Sequence, residues 1–265
     1  MKKWLAGALA ALLLLSVAGC GQSSGKAESQ EKILRVGATG QSYPNAYKDD
    51  NGKLTGYDVE VLETIAKKLG YKVEWHLTAF DGVLGQLGSG KIDTVANAFE
   101  VTPERAKQYD FTTPYTYTTT AIAVKKDSKI QSLKDLEGKT VGGVSGSNKV
   151  DILNDYIKKN KLNIKVRIYD TREGPQTDTL KGQVAGYVQA ASILQATIKK
   201  SNLSLRVIDQ PLAHTHISFP FSKKSKKEQA LLKKFNQQLK KLKEDGTLAK
   251  LSDKYFGIDV TKAQQ

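Results

Sequence analysis

Apolar positions change their period along this chain, and each change marks a different kind of segment. Leu5 to Ala18 is one apolar run, and Gly21 to Gln30 has no apolar period at all. From Ile33 onward, short runs of strand character alternate with faces at helical spacing. Ile33 to Val36 reads as a strand, and Val59 to Leu69 puts Leu62, Ile65, Ala66 and Leu69 on one helical face that Gly70 ends. A strand at 73–77, a helix at 83–87 and a strand at 92–95 continue the series, with Gly85, Gly88 and Gly90 at the turns. After the threonine-rich stretch Thr112 to Thr120 the same grammar repeats. Strands are expected at 121–124, 140–144, 165–169, 184–188 and 205–208, and helices at 133–136, 150–157, 177–181 and 193–199. Two helices close the chain, from about Lys226 to Glu244 and from Thr247 to Tyr255. Such alternation predicts an α/β fold of two lobes of about 90 residues each, with a cleft between them. Ligands of such sheets sit outside the carboxyl ends of the strands, so the loops after residues 36, 95 and 144 are where chemistry is expected.

Composition removes several alternatives. With 265 residues, 39% apolar and 26% charged, the chain has the make-up of a folded protein in water. One cysteine, Cys20, and three histidines exclude an internal disulfide framework and a zinc site built on several thiolates. The apolar run falls short of the roughly 20 residues that a membrane-crossing helix needs. Met1-Lys2-Lys3 precedes it and Val17-Ala18-Gly19-Cys20 follows it, so residues 1–19 read as a secretory signal. A cysteine directly after Ala-Gly is what bacterial lipoprotein signals look like, in which the thiol takes a diacylglycerol and becomes the new N-terminus. Residues 20–31 then form a flexible tether, and the expected location is the extracytoplasmic face of the cell membrane, lipid-anchored through Cys20.

Loss of residues 1–19 removes Lys2 and Lys3 and no acid, which takes the formal charge from +14 to +12. Much of that excess lies between Lys223 and Lys254, where lysines alternate with the stripe Leu232, Phe235, Leu239 and Leu242. This is the pattern of a solvated helix face. The arginines and interleaved aromatics of a nucleic-acid surface are missing, so no nucleic-acid partner is expected, and attraction to an anionic membrane or cell wall fits better.

Three sites carry candidate chemistry. Glu100-Val101-Thr102-Pro103-Glu104-Arg105 places Thr102 as an N-cap, Pro103 at the first helical position and Arg105 in the first turn. A guanidinium beside free backbone N–H groups favours a carboxylate guest, and its fork can hold both oxygens. Ser145-Gly146-Ser147-Asn148 forms a second polar turn at a helix start. It matches neither the phosphate-loop nor the dinucleotide spacing, so no nucleotide or other cofactor is expected. Tyr43, Phe80 and Phe99 fall at strand-end loops and together suit the wall of a small amphipathic ligand site. His214 and His216 share one side of a strand, but no carboxylate is near them in sequence, so no metal site is expected. No Gly-x-Ser-x-Gly elbow or Ser/His/Asp arrangement supports nucleophilic catalysis.

These residues resemble a known family, the extracytoplasmic solute-binding proteins of polar amino-acid ABC importers. The resemblance runs from about Leu34 to Phe256. It is carried by Leu34-Arg-Val-Gly37, Tyr43-Pro44, Gly52-Lys-Leu-Thr-Gly-Tyr-Asp-Val59, Phe80-Asp-Gly-Val83, Ser89-Gly-Lys-Ile-Asp93, Thr102-Pro-Glu-Arg105, Asp110-Phe111, Pro114-Tyr115, Leu133-Lys-Asp-Leu-Glu-Gly-Lys-Thr-Val141 and Asp245-Gly-Thr-Leu-Ala-Lys-Leu-Ser-Asp-Lys-Tyr-Phe256. It implies a clamshell of the periplasmic-binding-protein type II kind, each lobe a mixed sheet flanked by helices. Residues 32–118 and 215–261 would form lobe one and residues 119–214 lobe two. It further implies a monomer that does no chemistry, binds an amino acid and delivers it to a permease driven by an ATPase. Arg105 and the backbone near Glu100 would hold the α-carboxylate, joined by the Ser147-Asn148 turn. Tyr43 and Phe80 would flank the side chain, and Asn97, Phe99 and Gln189 complete the expected set. Ala190 stands where the family has an aspartate for the ligand's ammonium, and Glu100 is the residue that would replace it. Val36-Gly-Ala-Thr-Gly-Gln-Ser-Tyr-Pro44, Tyr57-Asp-Val-Glu-Val61 and the missing aspartate are similar to a Gram-positive cystine-binding subgroup. The alternative is a cyclohexadienyl-type dehydratase on the same clamshell, with Glu100 as general acid.

Overall fold

A computed structural model describes residues 31–224 and 226–263 of the chain. The expected signal segment, Cys20 and the tether up to Gln30 lie outside the described residues. The chain opens on β1 (Lys32–Ala38) and makes a small antiparallel sheet from β2 (Gln41–Ser42), β3 (Ala46–Lys48) and β4 (Leu54–Thr55). Helix α1 (Tyr57–Lys68) carries Asp58 and Glu60 in its first turn and Lys67 and Lys68 in its last, a polarity that complements the helix dipole. Strand β5 (Tyr71–Leu77), helix α2 (Phe80–Gly88) and strand β6 (Thr94–Val95) follow. β5, β1 and β6 form one parallel sheet in that order, strapped by Asp93, whose carboxylate accepts bonds from the Arg35 backbone at 2.8 Å and from the Arg35 guanidinium at 2.7 and 3.2 Å.

Helix α3 (Pro103–Gln108) and strand β7 (Tyr109–Phe111) lead into β8 (Thr116–Lys125), the long central strand of a second sheet. A 3-10 turn at Leu133–Leu136 precedes β9 (Thr140–Val144), α4 (Asn148–Asn160), β10 (Lys165–Tyr169), α5 (Glu173–Leu180), β11 (Gly186–Ala190), α6 (Ala191–Lys200) and β12 (Leu205–Val207). The order in this sheet is β10-β9-β11-β8-β12. β13 (Ala213–Ile217) also pairs with β8, and β8 is antiparallel to all three of its partners. The second sheet is therefore mixed, whereas the first is parallel. β14 (Pro220–Ser222) pairs with β7, and α7 (Lys226–Glu244) and α8 (Thr247–Phe256) end the fold.

Five apolar clusters form among the described residues, and two of them are the largest. One joins Leu34 and Val36 of β1 and Leu62 and Ile65 of α1 to Phe219, Phe221, Phe235, Leu239 and Phe256 from the far end of the chain. Its centre is aromatic: Tyr115 stacks on Phe219 at 4.3 Å and Phe221 meets Phe235 edge-on at 5.2 Å. The other joins Ile122, Val124, Leu133, Leu136, Val141, Leu153 and Val188, all from the middle of the chain. The lysines of α7 stay on its outer side while Phe235, Leu239 and Leu242 of the expected stripe are buried; at its first position Leu231 is buried and Leu232 is half-buried.

The clearest departure from expectation is β8. Its first half is the threonine-rich stretch, which has no apolar alternation to reveal it, yet Thr116, Thr118, Thr119 and Thr120 are buried there and pair with β13. β-branched side chains favour the extended backbone, so threonine serves here as a buried strand residue. The Thr118 hydroxyl meets that of Ser192 at 3.0 Å, while those of Thr116 and Thr120 are buried without a hydrogen-bond partner among the described residues.

Candidate functional site

A cleft of about 560 Å³ opens at the carboxyl ends of both sheets, within the size range of small-ligand sites. Thr39 to Ser42 after β1, Leu77 to Phe80 after β5, Val144 and Ser147 after β9, Asp170 to Glu173 after β10 and Gln189 near the end of β11 line it. Its inner end narrows to about 20 Å³ between Phe80, Ala98, Glu100, Ser147, Asn148, Lys149, Arg172, Gln189 and Ala190. Two close approaches hold the second-sheet wall in place. A Cβ on Gly142 would lie 2.6 Å from Cβ of Pro175 in α5, and one on Gly143 would lie 2.5 Å from Val150 of α4, so only glycine lets both helices pack so close to β9. Those helices begin at the residues that line the cleft.

Glu100 is 3% exposed and is the focus of the narrow end. Its Oε2 accepts from Asn148 Nδ2 at 2.5 Å, and its Oε1 accepts from Thr215 Oγ1 at 3.2 Å and from Lys149 Nζ. Lys149 is 4% exposed. Burial pushes its ammonium well below the ordinary value and the neighbouring Arg172 charge adds to this. The expected partner of Glu100 was a ligand's ammonium. The structure gives it Lys149, the second residue of α4, which carries no functional expectation from the sequence.

Arg105 sits where the capping signal predicts. Thr102 Oγ1 accepts from the Arg105 backbone N–H at 3.2 Å, and Pro103 is the first residue of α3. The guanidinium donates from Nη1 to the Glu100 carbonyl at 2.9 Å and lies 4.1 Å from the ring centre of Phe99 and 5.9 Å from that of Phe80. Burial lowers its pKa to about 10, with Asp151 and Glu104 opposing, so it remains charged at neutral pH. It pairs with neither Glu104 nor Asp110. It stands beside the cleft lining, against Phe80.

The remaining expected residues divide. Phe80, Ser147, Asn148 and Gln189 line the cleft or its narrow end. Phe99 is fully buried behind Phe80, with the rings 6.0 Å apart, and stacks on Phe111. Asn97 is buried and accepts from the Thr39 backbone at 3.1 Å and from its hydroxyl at 2.9 Å, so it shapes the loop that forms one wall. Tyr43 does not line the cleft. The turn closed by Asn45 N to Ser42 O at 2.7 Å carries it away, to pack edge-on against Tyr47 at 4.9 Å beneath the Lys200 ammonium at 4.2 Å. His214 is exposed and His216 half-buried beside Tyr117, and no group of three metal-binding side chains occurs among the described residues.

Arg172 was not foreseen, because an arginine between Thr171 and Glu173 reads as a solvated loop. It lines both the wide cleft and its narrow end. Burial lowers its pKa, with Glu173, Asp58 and Tyr187 acting against that.

The geometry has counterparts among known proteins. Residues 34–258 match the bacterial extracellular solute-binding proteins, family 3. The chain is 46% identical to "Probable amino-acid-binding protein YxeM" of Bacillus subtilis over 266 aligned positions, covering 100% of this chain and 99% of that protein. It is 34% identical to the L-cystine-binding protein TcyJ of Bacillus subtilis, covering 95% and 96% of the two chains. A solved structure from the study of glutathione import in Gram-positive bacteria via GshT and the cystine ABC importer TcyBC of Streptococcus mutans superposes with a TM-score of 0.79 at 29% identity, covering 88% of this chain and 98% of that one. The chain belongs to the bacterial extracellular solute-binding proteins of family 3, with their two-lobed α/β fold.

Proposed function

We propose that this member of the family captures a free amino acid in the cleft between its two sheets and delivers it to a membrane permease coupled to an ATPase, with L-cystine as the favoured ligand. The observation that carries the reading is the Arg105 guanidinium, which donates to the Glu100 backbone carbonyl at 2.9 Å and lies against Phe80 of the cleft wall. A guanidinium backed by Phe80 and Phe99 suits an α-carboxylate, and the α-ammonium sits near Glu100, sharing its carboxylate with Lys149. Glu100 Oε2 takes one bond, from Asn148, and a carboxylate oxygen can accept a second. Cystine is favoured because TcyJ carries that ligand in its name and because Ala190 removes the aspartate usual in the family.

Binding closes residues 32–118 and 215–261 against residues 119–214, and the closed form is what the permease accepts. The protein acts as a monomer, held at the extracytoplasmic face by lipid on Cys20. Capture and release require no chemistry. The Glu100 carboxylate already accepts three bonds from the protein and is placed as an acceptor, which does not favour a role as the general acid of a dehydratase.

A thermal-shift screen of the purified protein against the twenty amino acids and cystine tests this, since a ligand that binds only the folded form raises the unfolding midpoint. Cystine is expected to give the largest shift. Arg105→Ala is expected to weaken binding at least about tenfold, the loss typical of a charged hydrogen-bond pair. Unchanged binding by Arg105→Ala discards the carboxylate assignment, and a shift with a different amino acid discards cystine.

A further inference from the structure

We propose that Arg172 is a second carboxylate-binding group of the cleft, so that the preferred ligand is an amino acid with another carboxylate at its far end. This rests on the amino-acid reading above and adds to it a residue and a ligand class. The first observation is an orphaned donor. Nη1 of Arg172 is buried and has no hydrogen-bond partner among the described residues. Buried guanidinium donors without an acceptor are costly, and an arginine retained in that condition at a cleft wall is suited to an acceptor that arrives with a ligand.

Position is the second observation. Arg172 lines both the narrow end, beside Glu100 and Asn148, and the wide cleft beyond it, so it faces whatever extends outward from a bound head group. It is also the N-cap of α5, an eight-residue helix whose first turn has no side-chain cap. The free N–H groups and the positive dipole end there act in the same direction as the guanidinium.

Charge balance is the third. Lys149 is committed to Glu100. Asp58, the buried carboxylate within electrostatic reach of Arg172, has its Oδ1 bonded by Asn45 Nδ2 at 3.0 Å and its Oδ2 by the Ala98 backbone. Arg172 forms no hydrogen bond to it. Asp170 and Glu173 are exposed at the rim, and no salt bridge joins either to Arg172 among the described residues. The guanidinium thus keeps its fork for an incoming anion, and a carboxylate matches that fork in two-point geometry.

The test is calorimetric titration of the purified protein with matched pairs that differ in the second carboxylate: L-cystine against S-methylthio-L-cysteine, L-cystathionine against L-methionine, and L-glutamate against L-glutamine. The wild type is expected to favour the dicarboxylate in at least one pair by about tenfold or more, and Arg172→Gln to reduce that preference to within about threefold. Arg105→Ala is expected to weaken both members together. If monocarboxylates bind as well as their partners, or Arg172→Gln keeps the preference, the inference is wrong while the amino-acid reading stands. If no amino acid binds at all, that reading falls and takes this one with it. Should Arg172→Gln fail to fold, Arg172→Lys keeps a charge without the fork, and an undiminished preference in that variant also overturns the inference.

Discussion

Glu100 and Lys149 show how one residue pair determines both stability and site chemistry. Two charges out of water are tolerated because each satisfies the other, so removing one is more harmful than removing both. Lys149→Met is expected to lower unfolding free energy by about 3 kcal/mol, and Lys149→Met combined with Glu100→Gln to cost clearly less than the single change. Urea denaturation of the two variants measures this, and equal losses would show that the pair is not coupled. Arg105 was legible in the sequence because the Thr-Pro cap fixes where a helix starts and therefore where its first turn points. Lys149 and Arg172 were not legible. Lysine and arginine near polar turns are usually solvated, and only the approach of the second sheet to the first makes them interior. Tyr43 failed as a wall residue for the converse reason: an aromatic at a strand end has several surfaces to pack on, and here it meets Tyr47 and Lys200.

Among the elements, strands with an apolar run and helices with a clear face were readable, and β10 was placed to the residue. Elements that rely on neighbours were not. β2, β3 and β4 are two or three residues long and carry no period, and the first half of β8 is polar yet buried. The contact between β1 and the loop before β6 gives a test at this scale. Burial acts to raise the Asp93 carboxyl, but the bonds from the Arg35 guanidinium and backbone outweigh it and hold the group below the ordinary carboxylate value. Arg35 is raised in turn, chiefly by its bond to Asp93. A depressed acid contributes stability that is complete above its unfolded value, about 3.9, and is lost as the pH falls toward the folded value. Arg35→Met is therefore expected to destabilise by a constant amount between about pH 5 and 7 and by progressively less below about pH 4. Parallel stability curves down to the lowest pH would refute the assignment.

At the scale of the whole molecule, the two cores differ in where their residues come from. The second is drawn from the middle of the sequence, between Ile122 and Ile208. The first joins Leu34 and Leu62 to Phe235, Phe256 and Val260, and the Thr55 hydroxyl meets Tyr255 Oη at 3.0 Å across 200 positions. Closing a long loop carries an entropic cost before any contact rewards it, so distant pairings form late. The second core has all its buried residues by Ile208. The first core lacks Phe235, Leu239 and Phe256 until α7 and α8 join it. Until then the apolar faces of β1 and α1 stand without the aromatic side chains that cover them in the finished fold.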